Sequence, residues 1–142
     1  MTAEADVAPD GEPHVLDLGE RPAIGAVRRW TERAVPHLPD DLLADLLLLV
    51  TELVGNAYDH GHQPGALRLT RWPGRVRVEV DDSSPAPPVP GRSRIADSRG
   101  RGLLIVAALS GDWGTTGRVD GKTVWADLPL HPVPSADAAG SR

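Results

Sequence analysis

The sequence predicts an α+β fold: a two-layer sandwich in which a mostly antiparallel mixed sheet carries helices on one face. Three observations lead there. Residues 75–81 (RVRVEVD) alternate charged side chains with valine, the pattern of a strand with one wet and one buried face. Residues 40–60 (DDLLADLLLLVTELVGNAYDH) are apolar almost all round, so a helix formed from them must be largely buried. Asp120-Gly121, between two runs with strand composition, is a strong hairpin signal.

The elements follow in order. Residues 1–13 are small, polar and acidic and bury too little to order themselves, and residues 129–142 have the same character. The folded domain is therefore expected over 14–128. His14 to Leu18 reads as a short edge strand. Pro22 suits the first turn of a helix running to about Ala34, which buries Ile24, Val27 and Trp30. Pro36 and Pro39 break it, and Asp40 or Asp41 caps the second, longer helix. Gly61 ends that helix as a left-handed terminator. Ala66–Trp72 and Arg75–Asp81 are strands joined at Pro73-Gly74. A long proline-rich loop then leads to a short apolar helix from Gly102 to Ser110, and strands near Trp113–Val119 and Thr123–Leu128 complete the chain.

Composition narrows the function. The 142 residues suit one domain, and with 4% aromatics and no phenylalanine its core must be Leu, Val, Ile and Ala. The absence of cysteine excludes disulfides, a thiolate nucleophile and Cys-ligated zinc, which suits a cytoplasmic protein. The longest apolar run, Leu103–Leu109, is far short of the ~20 residues of a membrane span. A net charge of −5 argues against direct nucleic-acid binding.

Three features can carry chemistry. In the long helix, Glu52 and Asn56 are spaced i, i+4 and share one face, with His60 a turn further on. An unpaired buried carboxylate costs several kcal/mol, so this polar stripe needs solvent, a side chain or a ligand as partner. The second feature is Asp81-Asp82-Ser83-Ser84, where an alternating strand runs into the loop. Two acids there either cap a turn or place a carboxylate at the mouth of a pocket, able to accept from an amine. The third is Gly100-Arg101-Gly102 opening the apolar helix, after a loop containing Arg92, Arg94 and Arg99. Backbone N–H groups at such a start can receive an anion. Gly121-Lys122-Thr123 imitates the end of a phosphate-binding P-loop, but Thr116 stands where that motif needs glycine and a strand follows. His60-Gly61-His62 is too sparse for a metal site.

Together these features resemble the Bergerat (GHKL) ATP-binding fold of histidine kinases, DNA gyrase and MutL. More closely, the chain is similar to the short stand-alone anti-sigma-factor serine/threonine kinases. Thr51–Gly61 (TELVGNAYDHG) resembles their N-box, E-L-x-x-N-A-x-x-H-G. Val78–Pro85 (VEVDDSSP) sits at the G1 box, and Gly100–Val106 (GRGLLIV) resembles the G2 box.

The resemblance implies ATP and Mg²⁺ as cofactors, with Asn56 on the metal and Asp82 accepting from the adenine amino group. It implies a lid at about residues 85–101, with Ser84, Gly100, Arg101, Gly102 and Leu103 also around the nucleotide. Glu52 becomes the general base, and Arg99 or Arg101 a stabiliser of transition-state charge. The implied partners are a sigma factor and a STAS-type antagonist, with a homodimer possible for so small a domain. The chain departs from the G1 pattern D-x-G-x-G in having Ser84 and Ala86, side chains that narrow the approach to adenine. A non-catalytic protein-binding module, responsive to nucleotide or independent of it, is the alternative.

Overall fold

The structure is a computed structural model that describes residues 8–84 and 100–130, with only the backbone described for 100–103. Eight elements follow one another: β1 (His14–Asp17), α1 (Ile24–Ala34), α2 (Asp40–His60), β2 (Pro64–Trp72), β3 (Arg75–Asp82), α3 (Gly100–Leu109), β4 (Asp112–Arg118) and β5 (Gly121–Pro129). The strands form one sheet in the order β1-β2-β3-β5-β4, and every pairing in it is antiparallel. The expected α+β sandwich is present. No parallel pair of the mixed sheet occurs among the described residues.

The alternation in β3 sets the layers. Val76, Val78 and Val80 are buried and point toward the helices. Their cross-strand partners Leu69 and Leu67 in β2, and Leu128, Ala126 and Val124 in β5, share that face. The helix that covers them is α2. Its Leu46, Leu49, Val50, Leu53, Val54 and Ala57 all belong to the core. Burying each leucine contributes roughly 1.5–3 kcal/mol, so this stripe fixes how α2 sits on the sheet whatever its polar residues do. Helices α1 and α3 pack against α2.

Several boundaries differ from the sequence expectation. Helix α1 starts at Ile24 with Ala23 as N-cap, so Pro22 lies before it. Ile24 is half exposed, because it opens the helix at the mouth of a groove that it lines with Arg21, Val27, Val54 and Tyr58. Neither Asp40 nor Asp41 caps α2: Pro39 holds that position, and both acids sit in the first turn, where they favour the helix dipole. Gly61 is extended, with φ −88°, rather than left-handed. Helix α3 begins two residues early, at Gly100, and β3 reaches Asp82. Pro129, expected in the tail, completes β5, and the Leu130 amide donates to the Gly74 carbonyl. Within the expected N-terminal tail, the Asp10 amide donates to Arg71 of β2.

Candidate functional site

Helix α2 offers three kinds of surface. The leucine stripe points at the sheet, and Val54, Gly55 and Tyr58 line the groove beside α1. Glu52 and Asn56 occupy the opposite flank, one turn apart, and both are half-buried. They are neither sealed in the core nor turned out to bulk water. His60, in the last turn, is exposed.

Beyond the end of α2 lies Asp82. It has the parity of Val76, Val78 and Val80 and so projects from β3 on the helix side of the sheet. Its side chain is only 2% exposed. One carboxylate oxygen, Oδ1, accepts the Ser84 amide at 2.7 Å, and the other, Oδ2, lies 3.4 Å from Lys122 Nζ. Lys122 stands directly opposite Asp82 on β5, so the two side chains leave the sheet on the same face. The turn after α2 is tied to this point. Ser83 donates to the His62 carbonyl through both its amide (2.8 Å) and its hydroxyl (2.7 Å).

Two glycines let the backbone close here. A Cβ on Gly61 would fall 2.7 Å from Asp82 Oδ2 and 2.5 Å from the Ala57 carbonyl oxygen, contacts no side chain tolerates. At Gly121, φ is +153° and a Cβ would lie 2.1 Å from the Asp82 carbonyl oxygen. Along the α2 axis, Asn56 is roughly 7.5 Å and Glu52 roughly 13.5 Å from Gly61. Asp82, Asn56 and Glu52 are thus met in that order on moving from the end of the central strand β3 up the helix.

Asp81 belongs to the other face. Arg68 holds it in a fork, with Nη2 2.8 Å from Oδ1, while Thr123 Oγ1 donates at 2.6 Å and Arg118 Nη1 lies 2.9 Å away. Partial burial pushes this carboxyl up, but the hydrogen bonds from Arg68 and Thr123 and the neighbouring positive charges outweigh it and hold it down at about 2. Further along the same face, Arg77 grips Asp127 at 2.7 and 2.9 Å and stacks on Trp125.

Of the residues singled out from sequence, Asp82 and Ser84 lie together, and Glu52 and Asn56 share one flank of the helix that ends beside them. Gly100, Arg101, Gly102 and Leu103 form the first turn of α3, which takes in Gly100 and Arg101 as well as the expected Gly102 and Leu103. Their amides are the donors that a helix start leaves free of intrahelical partners. Residues 85–99, most of the expected lid and with them Ala86 and Arg99, lie outside the described residues, as does the Arg101 side chain. No cluster of three or more His, Asp or Glu side chains that could hold a metal occurs among the described residues. Mg²⁺ does not need one, since it takes one or two protein ligands with phosphate oxygens and water. A buried carboxylate acceptor beside an ammonium donor fits the edge of a purine, and the Asn56–Glu52 flank leads away from it.

Residues 20–128 match the family model described as a histidine kinase-like ATPase domain. The chain belongs to that family. Membership implies ATP binding. An uncharacterised protein of Streptomyces coelicolor, SCO4941, is 38% identical over 88 residues, covering 58% of this chain and 84% of its own. Among solved structures, the RsbU and RsbW domains of Rv1364c from Mycobacterium tuberculosis superpose with a TM-score of 0.59 at 19% identity. That match covers 87% of this chain but only 34% of the other, so this chain spans about a third of its length. It is a likeness of fold. No helix among the described residues is long and apolar enough to cross a membrane.

Sequence reasoning missed two residues. Lys122 was rejected as a P-loop lysine and given no role at the site, and only the β3–β5 register brings it to Asp82. Gly61 was read as a helix terminator, whereas its lack of a side chain lets α2 end against the carboxylate. No local signal marks either contact, because both join segments distant in sequence.

Proposed function

We propose that this domain binds Mg-ATP between α2 and the Asp82 end of β3, and acts as an anti-sigma-factor-type regulator that phosphorylates a serine or threonine of a STAS-type antagonist. In this reading Asp82 accepts from the adenine amino group, Asn56 holds the metal, and the free amides at the start of α3 receive phosphate oxygens. The metal would supply neutralisation of charge on the phosphates. Glu52 takes the proton from the attacking hydroxyl as its oxygen bonds to the γ-phosphorus and the bond to the ADP oxygen breaks. Such a transfer is mostly positioning and charge stabilisation, so one base, one metal ligand and a set of donors are enough.

The observation that carries the reading is the placement of Asp82. It is a carboxylate buried on the helix side of the sheet, at the foot of the helix whose flank holds Asn56 and Glu52. The sigma factor, the antagonist and a homodimer come from the family resemblance, supported by the likeness in fold to the RsbU and RsbW domains of Rv1364c. Cytoplasmic location rests on composition.

Glu52→Ala tests the chemistry. Transfer of the γ-phosphoryl group from Mg-ATP to a STAS-type protein should fall by about 10²–10⁴-fold, with ATP affinity nearly unchanged, because a base acts chiefly in the transition state. Undiminished transfer would remove Glu52 from the mechanism. A second reading, a module that captures its partner without transferring phosphate, draws support from Ser84 at a position where the G1 pattern has glycine. It requires partner capture with no phosphorylated product, even in the wild-type protein.

A further inference from the structure

Lys122, the cation beside Asp82, is not among the residues to which the family resemblance gives a role. Lys122 Nζ is 3.4 Å from Asp82 Oδ2, and the lysine side chain is 20% exposed, so the pair stands largely out of water. Its position is built rather than incidental. The β3–β5 register sets Lys122 directly across from Asp82. Gly121, the residue before it, must be glycine for β5 to begin against the backbone of Asp82 and Ser83. Asp82 Oδ1 is already engaged by the Ser84 amide, which fixes the plane of the carboxylate.

An ammonium has three donors and no acceptor, so an ion pair with Asp82 at 3.4 Å leaves donors for a ligand. A carboxylate next to such a donor presents acceptor and donor side by side. Adenine offers the complement on one edge, an exocyclic N–H at C6 and a lone pair at N1. We propose that Lys122 is a specificity-determining residue of the nucleotide site, donating to adenine N1 while Asp82 accepts from the C6 amino group. This rests on the reading of Asp82 given above and adds a second contact to it.

The test pairs a change in the protein with a change of one ligand atom. Calorimetric titrations use the full chain with Mg-ADP and with its 1-deaza analogue, in which N1 is a C–H group. The wild-type protein should bind the analogue about tenfold or more weakly, the range for a hydrogen bond to a charged group. Lys122→Met should weaken ADP by a similar factor and then bind ADP and the analogue alike, while Lys122→Arg should restore much of the discrimination. Equal wild-type affinity for the two ligands would overturn the inference without any variant, so a poorly folded Lys122→Met protein cannot shield it. A Lys122→Met protein that discriminates as strongly as wild type would also overturn it, by giving N1 to another group. Either result leaves the ATP-site reading standing. Failure of the wild-type protein to bind ADP at all would instead remove that reading, and the inference with it.

Discussion

Asp81 and Asp82, consecutive residues of β3, face opposite sides of the sheet and are held in opposite ways. Asp81 lies on the outer face among Arg68, Arg118 and Thr123, a network of side chains that satisfy one another. Asp82 lies on the helix side with one backbone amide and one lysine, against a helix end that only a glycine allows so close. The outer carboxylate has its partners and serves the sheet. The inner one retains accepting capacity next to a helix flank carrying Asn56 and Glu52. Alternation along a strand thus separates an acid engaged by side chains from one that, in the proposed reading, faces the nucleotide, within one peptide bond.

Variants at the two positions and around them can break that division. The largest effect on stability should come from Asp81→Ala. It leaves Arg68, itself more firmly protonated because of its hydrogen bond to Asp81, without its partner, and should lower the unfolding free energy by about 2 kcal/mol. ADP affinity should change by less than about twofold; a large loss measured by calorimetry would show that the faces are coupled.

A smaller stability cost, about 1–2 kcal/mol, is expected for Gly61→Ala, whose Cβ must push α2 away from Asp82. Here nucleotide affinity should fall with it, by about tenfold, since the helix carrying Asn56 shifts relative to the carboxylate. Unchanged affinity in a folded variant would mean that the close approach serves packing alone.

The mildest test uses acid. The Asp81 carboxyl is held at about 2 against an ordinary value of 3.8, so its contribution to stability is fully present above 3.8 and disappears as pH falls through about 2. Chemical denaturation between pH 4.5 and pH 2 (roughly the range that brackets both values) should show wild type losing stability more steeply than Asp81→Asn. Parallel curves would place the acid-sensitive group elsewhere.

The layers and most elements were legible in the sequence, because the strand alternation of β3 and the leucine-rich face of α2 are local patterns with fixed periods. Placing Asp82 on the helix side needed only that alternation extended by one residue past Asp81. Residues whose role depends on register were not legible. Lys122 had no assignable role until β5 was set against β3, and Ile24 looked buried because helical spacing does not reveal where a groove opens. Cap chemistry also misled: Asp40 and Asp41 are good capping residues, but Pro39 precedes them and takes the N-cap position.

The central claim is that the inner carboxylate receives the nucleotide. Calorimetric titration of Mg-ADP into wild type and Asp82→Asn tests it most directly. Saturable one-to-one binding to wild type is expected, with an affinity lower by about tenfold or more in a folded Asp82→Asn protein, where an amide replaces the charged acceptor. Equal affinities, or no binding to wild type, would contradict it.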